Sequence, residues 1–164
     1  VLWVLFGFYL LALCATLVFS RIDFADYAAQ RAAYMADWEL MTSFTPFETI
    51  GLYIRCLKYD FIGTAIPVSN LMGNVLLFMP MAVFLPCLFP STRRFLRFLV
   101  LMVAILLAVE ALQLVLCCGS CDIDDVILNL SGTLLVYGLM ALPAVQKILI
   151  KTYLFSPAAP AAHA

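Results

Sequence analysis

The side chains best suited to chemistry in this sequence are carboxylates and amides that fall inside or beside long apolar segments. Glu110 lies within an apolar run, and Gln113 follows three residues later on the same helical face. A carboxylate inside a membrane-spanning helix is energetically costly and marks a candidate functional site. Glu110 is therefore a candidate general base or metal ligand, and Gln113 is a candidate substrate-binding residue.

Two further pairs of polar residues are expected at a similar depth. They are Asn70 with Asn74, and Asp125 with Asn129, and the members of each pair are four residues apart. This spacing places both members on one face of a helix. We expect Asp125 to be the second catalytic candidate and the three asparagines to orient a substrate. The alternative is that these side chains form hydrogen bonds between packed helices and have no chemical role.

Three aspartates lie at the start of the last apolar run, and they are Asp122, Asp124 and Asp125. Carboxylate oxygens are the ligands that Mg²⁺ prefers, so a divalent cation such as Mg²⁺ is an expected cofactor, although three aspartates do not specify a metal. Asp122 and Asp124 are also candidate substrate-binding residues. At least one of the three could instead cap the helix that follows, because a carboxylate favours the positive end of a helix.

The composition requires that membrane-spanning helices position these residues. The chain has 164 residues, of which 66% are hydrophobic and 12% are charged, and its mean hydropathy is +1.09. A soluble domain of this size cannot bury so much apolar surface. We therefore predict an all-α polytopic helical bundle in a lipid bilayer, and we exclude a soluble nucleic-acid-binding domain.

Four apolar runs are long enough to span a bilayer and would form one transmembrane domain over residues 1–155. They cover about residues 1–19, 70–89, 95–117 and 126–146. We expect the first run to be a retained helix rather than a cleaved signal peptide, because it lacks a basic region before it. Residues 156–164 are rich in Ala and Pro and are expected to be disordered.

Prolines and small residues inside these spans predict how the helices bend and pack. Pro80 and Pro86 should kink or break the second span, because proline lacks the backbone donor that a helix needs. Ser131, Gly132 and Gly138 should let other helices approach the fourth span closely.

The charged residues distinguish the two sides of the membrane. The loop between spans two and three and the segment after span four together contain five basic residues and no acid. Residues 20–69 and 118–125 contain nine acids and four bases. Loops rich in Lys and Arg remain in the cytoplasm, so both termini are expected there. The polar residues would then lie in the outer half of the membrane.

The outer segment, residues 20–69, is predicted to contain two amphipathic helices. Aromatic and apolar residues recur at three- and four-residue steps from Phe24 to Met41. The sequence Thr-Pro-Phe-Glu at residues 45–48 combines a capping-box pair with proline at the first helical position. We expect both helices to lie on the outer membrane surface. The alternative is that they cover the outer ends of the spans.

Four cysteines are predicted on or near the oxidising outer side, and they are Cys56, Cys117, Cys118 and Cys121. One or two disulfides could form among them, with no pairing favoured. The C-x-x-C spacing of Cys118 and Cys121 lacks the second ligand pair that a zinc site needs.

The ordered set of motifs resembles the VanZ-like family of bacterial membrane proteins. The matching stretches are FTPFETI at 44–50, NLMGNVLLFMP at 70–80, EALQ at 110–113 and DIDDVILNLSG at 122–132. The resemblance extends over about residues 44–137. It implies a small protein of the bacterial cytoplasmic membrane, and some members of that family are associated with reduced susceptibility to teicoplanin.

The loop before the aspartates departs from the pattern of that family. Many members have a basic residue there, whereas this chain has Ser120 and Cys121. The departure weakens the case for phosphate binding by this loop. It leaves Arg55 and Lys58 as the nearest expected partners for an anion.

These observations lead to two hypotheses of function. In the first, the protein binds or modifies the head groups of lipid-linked cell-envelope precursors at the outer leaflet, with Glu110 and Asp125 as the catalytic candidates. In the second, it is a non-enzymatic scaffold or a factor that shields envelope precursors, and the polar residues only hold the bundle together. A transporter is less favoured, because the chain has neither an inverted repeat nor a polar path through the inner halves of the spans.

Overall fold

The computed structural model describes residues 1–59 and 63–152 and shows a bundle of helices. The expectation of disorder in residues 156–164 lies outside the described residues. The helices and strands are, in chain order, α1 (Leu2–Leu17), α2 (Tyr27–Ala36), β1 (Thr42–Ser43), α3 (Glu48–Tyr59), α4 (Ala65–Leu77), α5 (Met81–Leu88), α6 (Phe95–Val115), β2 (Cys121–Asp122), α7 (Ile123–Met140) and α8 (Pro143–Lys151).

Four helical stretches are long and apolar enough to cross a membrane. They are Leu2–Arg21, Ala65–Leu88, Phe95–Val115 and Ile123–Met140. The first consists of α1 and a short 3-10 turn, and the second consists of α4 and α5. The predicted all-α polytopic bundle is therefore confirmed.

The second span begins at Ala65, earlier than the expected start near residue 70. Pro67 fits inside the first turn of α4, because the first backbone N–H groups of a helix have no acceptor within it. The predicted break at Pro80 is confirmed, since this residue lies between α4 and α5. Pro86 does not end α5, which continues to Leu88.

The fourth span is shifted toward the N-terminus relative to the expected residues 126–146. Asp122 caps α7, because its Oδ1 accepts a hydrogen bond from the backbone N–H of Asp124 at 2.9 Å. The helix therefore includes Asp124 and Asp125, which precede the expected start of the span at residue 126. It ends at Met140, and Pro143 begins the separate helix α8.

The four spans alternate in direction across the bundle. The ring of Trp3, near the start of α1, contacts the ring of Phe89 just after α5, with 5.4 Å between centroids. Phe98, near the start of α6, stacks on Tyr137 near the end of α7 at 4.1 Å. The ends of α1 and α6 and the starts of α4 and α7 therefore share one end of the bundle, which we call the polar end.

Large apolar side chains fill the centre of the bundle, and a close helix contact lies beside them. Phe78, Phe98 and Met102 are almost completely buried. At Gly132 in α7, an added Cβ would lie 1.9 Å from the carbonyl oxygen of Val75 in α4, so the predicted close approach is confirmed there. The same prediction was wrong for Gly138, which has no neighbouring atom within 4 Å of an added Cβ.

Helix α2 covers α6 at the polar end of the bundle. The side chains of Tyr27, Gln30 and Tyr34 donate hydrogen bonds of 2.9, 3.1 and 2.7 Å to backbone carbonyls in the loop of residues 116–119. In addition, β1 pairs in parallel with β2, just before α7. These contacts support the alternative in which the outer segment covers the ends of the spans.

Candidate functional site

The polar end of the bundle contains a cavity of about 260 Å³. The end of the first span, α3, the part of α4 from Ser69 to Leu77, the loop at Ser120 and the start of α7 form its walls. Its lining includes Arg21, Tyr53, Asn70, Asn74, Asp122 and Asp125. Four of the residues predicted from spacing, two asparagines and two aspartates, therefore meet at one cavity.

A chain of hydrogen bonds joins α4 to α7 at the wall of this cavity. The Nδ2 of Asn74 donates to Oδ1 of Asp125. The Nδ2 of Asn129 donates to Oδ1 of Asn74 at 3.3 Å and to the carbonyl oxygen of Asp125 at 2.8 Å. Asn129 is only 4% exposed, and its Oδ1 has no hydrogen-bond partner among the described residues. The arrangement both links the helices and leaves unused acceptor capacity beside the cavity.

The outermost of the predicted asparagines, Asn70, is exposed at the rim of the cavity. Its Nδ2 donates to the carbonyl oxygen of Ile66 within α4 at 2.9 Å. The Oδ1 of this amide remains available to a ligand, because no other described residue donates to it.

Glu110 and Gln113 are buried and do not line the cavity. The Oε2 of Glu110 accepts a hydrogen bond from the backbone N–H of Asp122 at 3.1 Å. The Nε2 of Gln113 donates to the carbonyl oxygen of Leu17 at 2.9 Å. Glu110 thus positions the loop that carries Asp122, and Gln113 ties the end of α6 to the end of α1.

The carboxylate of Asp124 caps α3. Asp124 is fully buried, and its two oxygens accept hydrogen bonds from the backbone N–H groups of Phe47 at 2.6 Å and Ile50 at 3.0 Å. The expected capping box at residues 45–48 was wrong, because α3 begins at Glu48 and Phe47 adopts a left-handed backbone with φ of 66°. The helix is capped by a residue of α7 instead of a local threonine.

The three aspartates point to three different partners. Asp122 caps its own helix, Asp124 caps α3, and Asp125 accepts from Asn74. Across residues 1–59 and 63–152, no group of three His, Cys, Asp or Glu side chains is placed to hold a metal ion. The described residues therefore offer no cluster of three ligands for the expected magnesium ion. The prediction that at least one of the three aspartates caps the helix is confirmed for Asp122.

Arg21 is the cavity residue that the sequence reasoning missed. It lies in the 3-10 turn after α1, and its Nη1 would be 3.0 Å from a Cβ added at Gly119. Its guanidinium forms no hydrogen bond or ion pair with any described residue. Arg55 and Lys58, the expected anion partners, are on α3 and do not line the cavity. The available signal was a basic residue directly after the first apolar run.

Tyr53 is a second cavity residue that was not singled out from the sequence. Burial raises the pKa of its phenol above the usual value, and the negative charges of Asp125 and Asp122 raise it further. The hydroxyl therefore stays protonated over the physiological pH range and can donate to a ligand as well as accept from it.

All six cysteines are free thiols, and all six lie within the described residues. The structure therefore does not contain the expected disulfides. Burial raises the pKa of the Cys118 and Cys121 thiols. Both side chains consequently favour the neutral, less reactive form.

A family model described as VanZ/LLP1 matches residues 6–145, which include every residue of the cavity. No curated protein and no solved structure matches the chain.

Proposed function

The chain belongs to the VanZ/LLP1 family of membrane proteins, and we propose that it binds the polar head group of a cell-envelope lipid in the cavity at the polar end. The observation that carries this proposal is the set of unpaired polar groups in that cavity. Arg21 forms no hydrogen bond or ion pair in the described part of the chain, and Asp122 and Asp125 each accept a hydrogen bond from a described residue through only one carboxylate oxygen. Such groups favour a polar ligand over an apolar one.

The size and location of the cavity support a head group as the ligand. A volume of about 260 Å³ exceeds that of several waters, since one water occupies roughly 30 Å³ in the liquid. The cavity lies at the polar end and extends along the second span from Ser69 to Leu77, so a head group inside it would lie at and just below the ends of the spans. A lipid could therefore place its head group in the cavity while its acyl chains remain in the bilayer.

The distribution of charge supports an outward orientation of the cavity. The hydroxyl of Tyr137 donates to the carbonyl oxygen of Arg93 at 2.8 Å, so the end of α7 lies beside the basic loop between α5 and α6. This basic end is opposite the polar end. By the positive-inside rule, the basic end faces the cytoplasm together with both termini, and the cavity faces the outer leaflet of the bacterial cytoplasmic membrane.

The geometry favours binding over catalysis. Asp125 lines the cavity and has a free carboxylate oxygen, so it is the group available as a general base. Glu110 reaches the cavity only through Asp122 and is a positioning residue.

A head group of an envelope precursor that is bound in the cavity would be less accessible to an antibiotic. This connects the proposal with the reduced teicoplanin susceptibility associated with some VanZ-like proteins.

A cavity-filling variant tests the proposal. Gly73 lines the cavity, and no atom lies within 4 Å of a Cβ added there, so Gly73→Leu should fill the cavity without disturbing the backbone. Gly138 is an equally open helical glycine remote from the cavity, and Gly138→Leu is the matched control. The full chain is purified in detergent with envelope lipid extract, and bound lipid is measured by native mass spectrometry. We expect Gly73→Leu alone to lose bound lipid, and equal retention in both variants would overturn the proposal.

The hydrogen-bonded chain between α4 and α7 favours a second candidate function, a scaffold without a ligand. Asp125→Asn separates the two, with Asp37→Asn at the exposed end of α2 as the control. A binding site predicts normal protein abundance with weakened lipid binding. A scaffold predicts that abundance and resistance fall together while lipid binding per molecule is unchanged.

A further inference from the structure

Opposite charges line the cavity without pairing with each other. Arg21 and the carboxylates of Asp122 and Asp125 all contribute to its walls. Nevertheless, Arg21 forms no ion pair with any residue that the structure describes. Asp122 is buried and Asp125 is partly buried, so their carboxylates need a compensating cation, whereas Arg21 is exposed and can meet an anion. A ligand with both signs of charge would satisfy both walls.

One wall is suited to a phosphate. The guanidinium of Arg21 lies against the backbone at Gly119, where the absence of a side chain leaves room for it. Its planar N–H groups match two oxygens of a phosphate. Hydroxyl groups of Ser120 and Thr16 line the same cavity and can add donors.

The other wall is suited to an ammonium group. Asp122 accepts from the backbone of Asp124 through Oδ1, and Asp125 accepts from Asn74 through Oδ1. The Oδ2 atoms of both aspartates have no partner among residues 1–59 and 63–152. An ammonium has three donors and no acceptor, so two carboxylate oxygens and the phenol oxygen of Tyr53 can receive all of them.

The charge balance of the lining selects between classes of head group. The lining contains one basic and two acidic side chains, and neither Arg55 nor Lys58 contributes to it. A purely anionic head group would meet more repulsion than attraction there. We infer that the cavity takes a zwitterionic head group in which a phosphate lies beside a primary ammonium, with the phosphate at Arg21 and the ammonium at Asp122 and Asp125. This inference rests on the proposed function and names the class of its ligand.

The test compares head groups on identical acyl chains. Short-chain phosphatidylethanolamine, phosphatidylcholine and phosphatidylglycerol are titrated into the detergent-solubilised full chain, and binding is measured by native mass spectrometry. We expect phosphatidylethanolamine to bind at least about tenfold more tightly than the other two, because hydrogen bonds between charged groups are worth more than this factor. Equal or tighter binding of phosphatidylglycerol would overturn the inference.

Two charge variants test which wall of the cavity binds the phosphate and which binds the ammonium. Asp125→Asn should weaken binding of phosphatidylethanolamine and leave phosphatidylglycerol unchanged or tighter. Arg21→Gln should weaken binding of both lipids, because it removes the phosphate contact. Arg31→Gln, on the exposed surface of α2, is the control and should change neither. Equal effects of Asp125→Asn on both lipids would contradict the assignment of the ammonium.

Soluble O-phosphoethanolamine distinguishes recognition of the head group from recognition of the acyl chains. Competition with the lipid supports the inference, and no competition at millimolar concentration opposes it.

The inference and the proposed function can fail separately. If phosphatidylglycerol is preferred but Gly73→Leu still abolishes lipid binding, only the zwitterionic class is wrong. If Gly73→Leu changes nothing, the cavity is not the lipid site.

Discussion

At the scale of single residues, Asp124 joins the outer segment to the bundle through one carboxylate. Its two acceptors are occupied by backbone N–H groups at the start of α3. Asp124→Ala removes the acceptor of both partly buried donors, which costs about 0.5–1.5 kcal/mol for each hydrogen bond. We expect a lower unfolding temperature and faster amide hydrogen exchange at residues 47–50, measured by mass spectrometry. Asp37→Ala changes an exposed aspartate just after α2 and is the control, and unchanged protection in Asp124→Ala would refute the capping role.

The thiol of Cys121 provides a test of the electrostatics of the loop between α6 and α7. Burial raises the pKa of this thiol, and the negative charges of Glu110 and Asp122 raise it further. A raised pKa means less thiolate at a given pH, so alkylation by iodoacetamide should increase at a more alkaline pH than for an unperturbed cysteine. The rate is followed against pH by site-resolved mass spectrometry.

The acids near Cys121 can be tested in the same experiment. Glu110→Gln removes one negative charge, so the alkylation curve should move to lower pH. Glu39→Gln removes an exposed carboxylate of the outer segment and should leave the curve in place. A curve that does not move in Glu110→Gln would show that Glu110 carries no charge felt by the thiol.

The residues of the site were only partly predictable from the sequence. Asn74, Asp125 and Asn129 were expected to lie at a similar depth in the membrane, because the two pairs to which they belong each have a spacing of four residues. The structure brings the three side chains together. The partner of Asp124 was not predictable, because α3 lies more than seventy residues earlier and no local pattern specifies such a contact. Arg21 was missed because a basic residue directly after an apolar run also occurs as an anchor at the membrane interface, without a role in a binding site.

At the scale of elements, the contact between α4 and α7 sets the geometry of the cavity wall. In Gly132→Ala the new Cβ would lie 1.9 Å from the carbonyl oxygen of Val75, so the two helices would have to separate. Val75 follows Asn74 directly, and this separation would therefore break the hydrogen bonds to α7. We expect a loss of stability of about 1–3 kcal/mol, as in other overpacked interiors, together with loss of bound lipid.

Gly138→Ala is the matched control for this contact. No atom lies within 4 Å of the added Cβ, and alanine is a better helix former than glycine by up to about 1 kcal/mol. Thermal unfolding in detergent should therefore show unchanged or higher stability for Gly138→Ala and a lower unfolding temperature for Gly132→Ala. Similar unfolding temperatures for the two variants would contradict the close contact.

Helix boundaries were less predictable than helix identity. Hydropathy located all four spans, because each must cover the apolar thickness of a bilayer. The start of α4 at Ala65 is earlier than the expected residue 70, because the first turn of a helix accepts a proline such as Pro67. The missing backbone donor of proline predicted the division of span two at Pro80 but not the continuation of α5 through Pro86.

At the scale of the whole molecule, the two ends of the bundle differ in charge and in structure. Five basic residues lie at the end formed by the loop before α6 and the segment after α7, without an acid among them. The other end contains the cavity and is covered by α2 and α3. This division predicts one orientation in the membrane, and the proposed lipid site depends on it.

Cysteine labelling in intact cells measures this orientation. Glu39 lies in the outer segment and Ser91 in the basic loop between α5 and α6, and both are exposed. A membrane-impermeant maleimide should label Glu39→Cys in intact cells and Ser91→Cys only after permeabilisation, with the unmodified chain as the blank for its native thiols. The expected result follows from the cost of moving the basic loop across the bilayer. The reverse pattern would place the cavity at the cytoplasmic surface, and the ligand would then have to come from the inner leaflet.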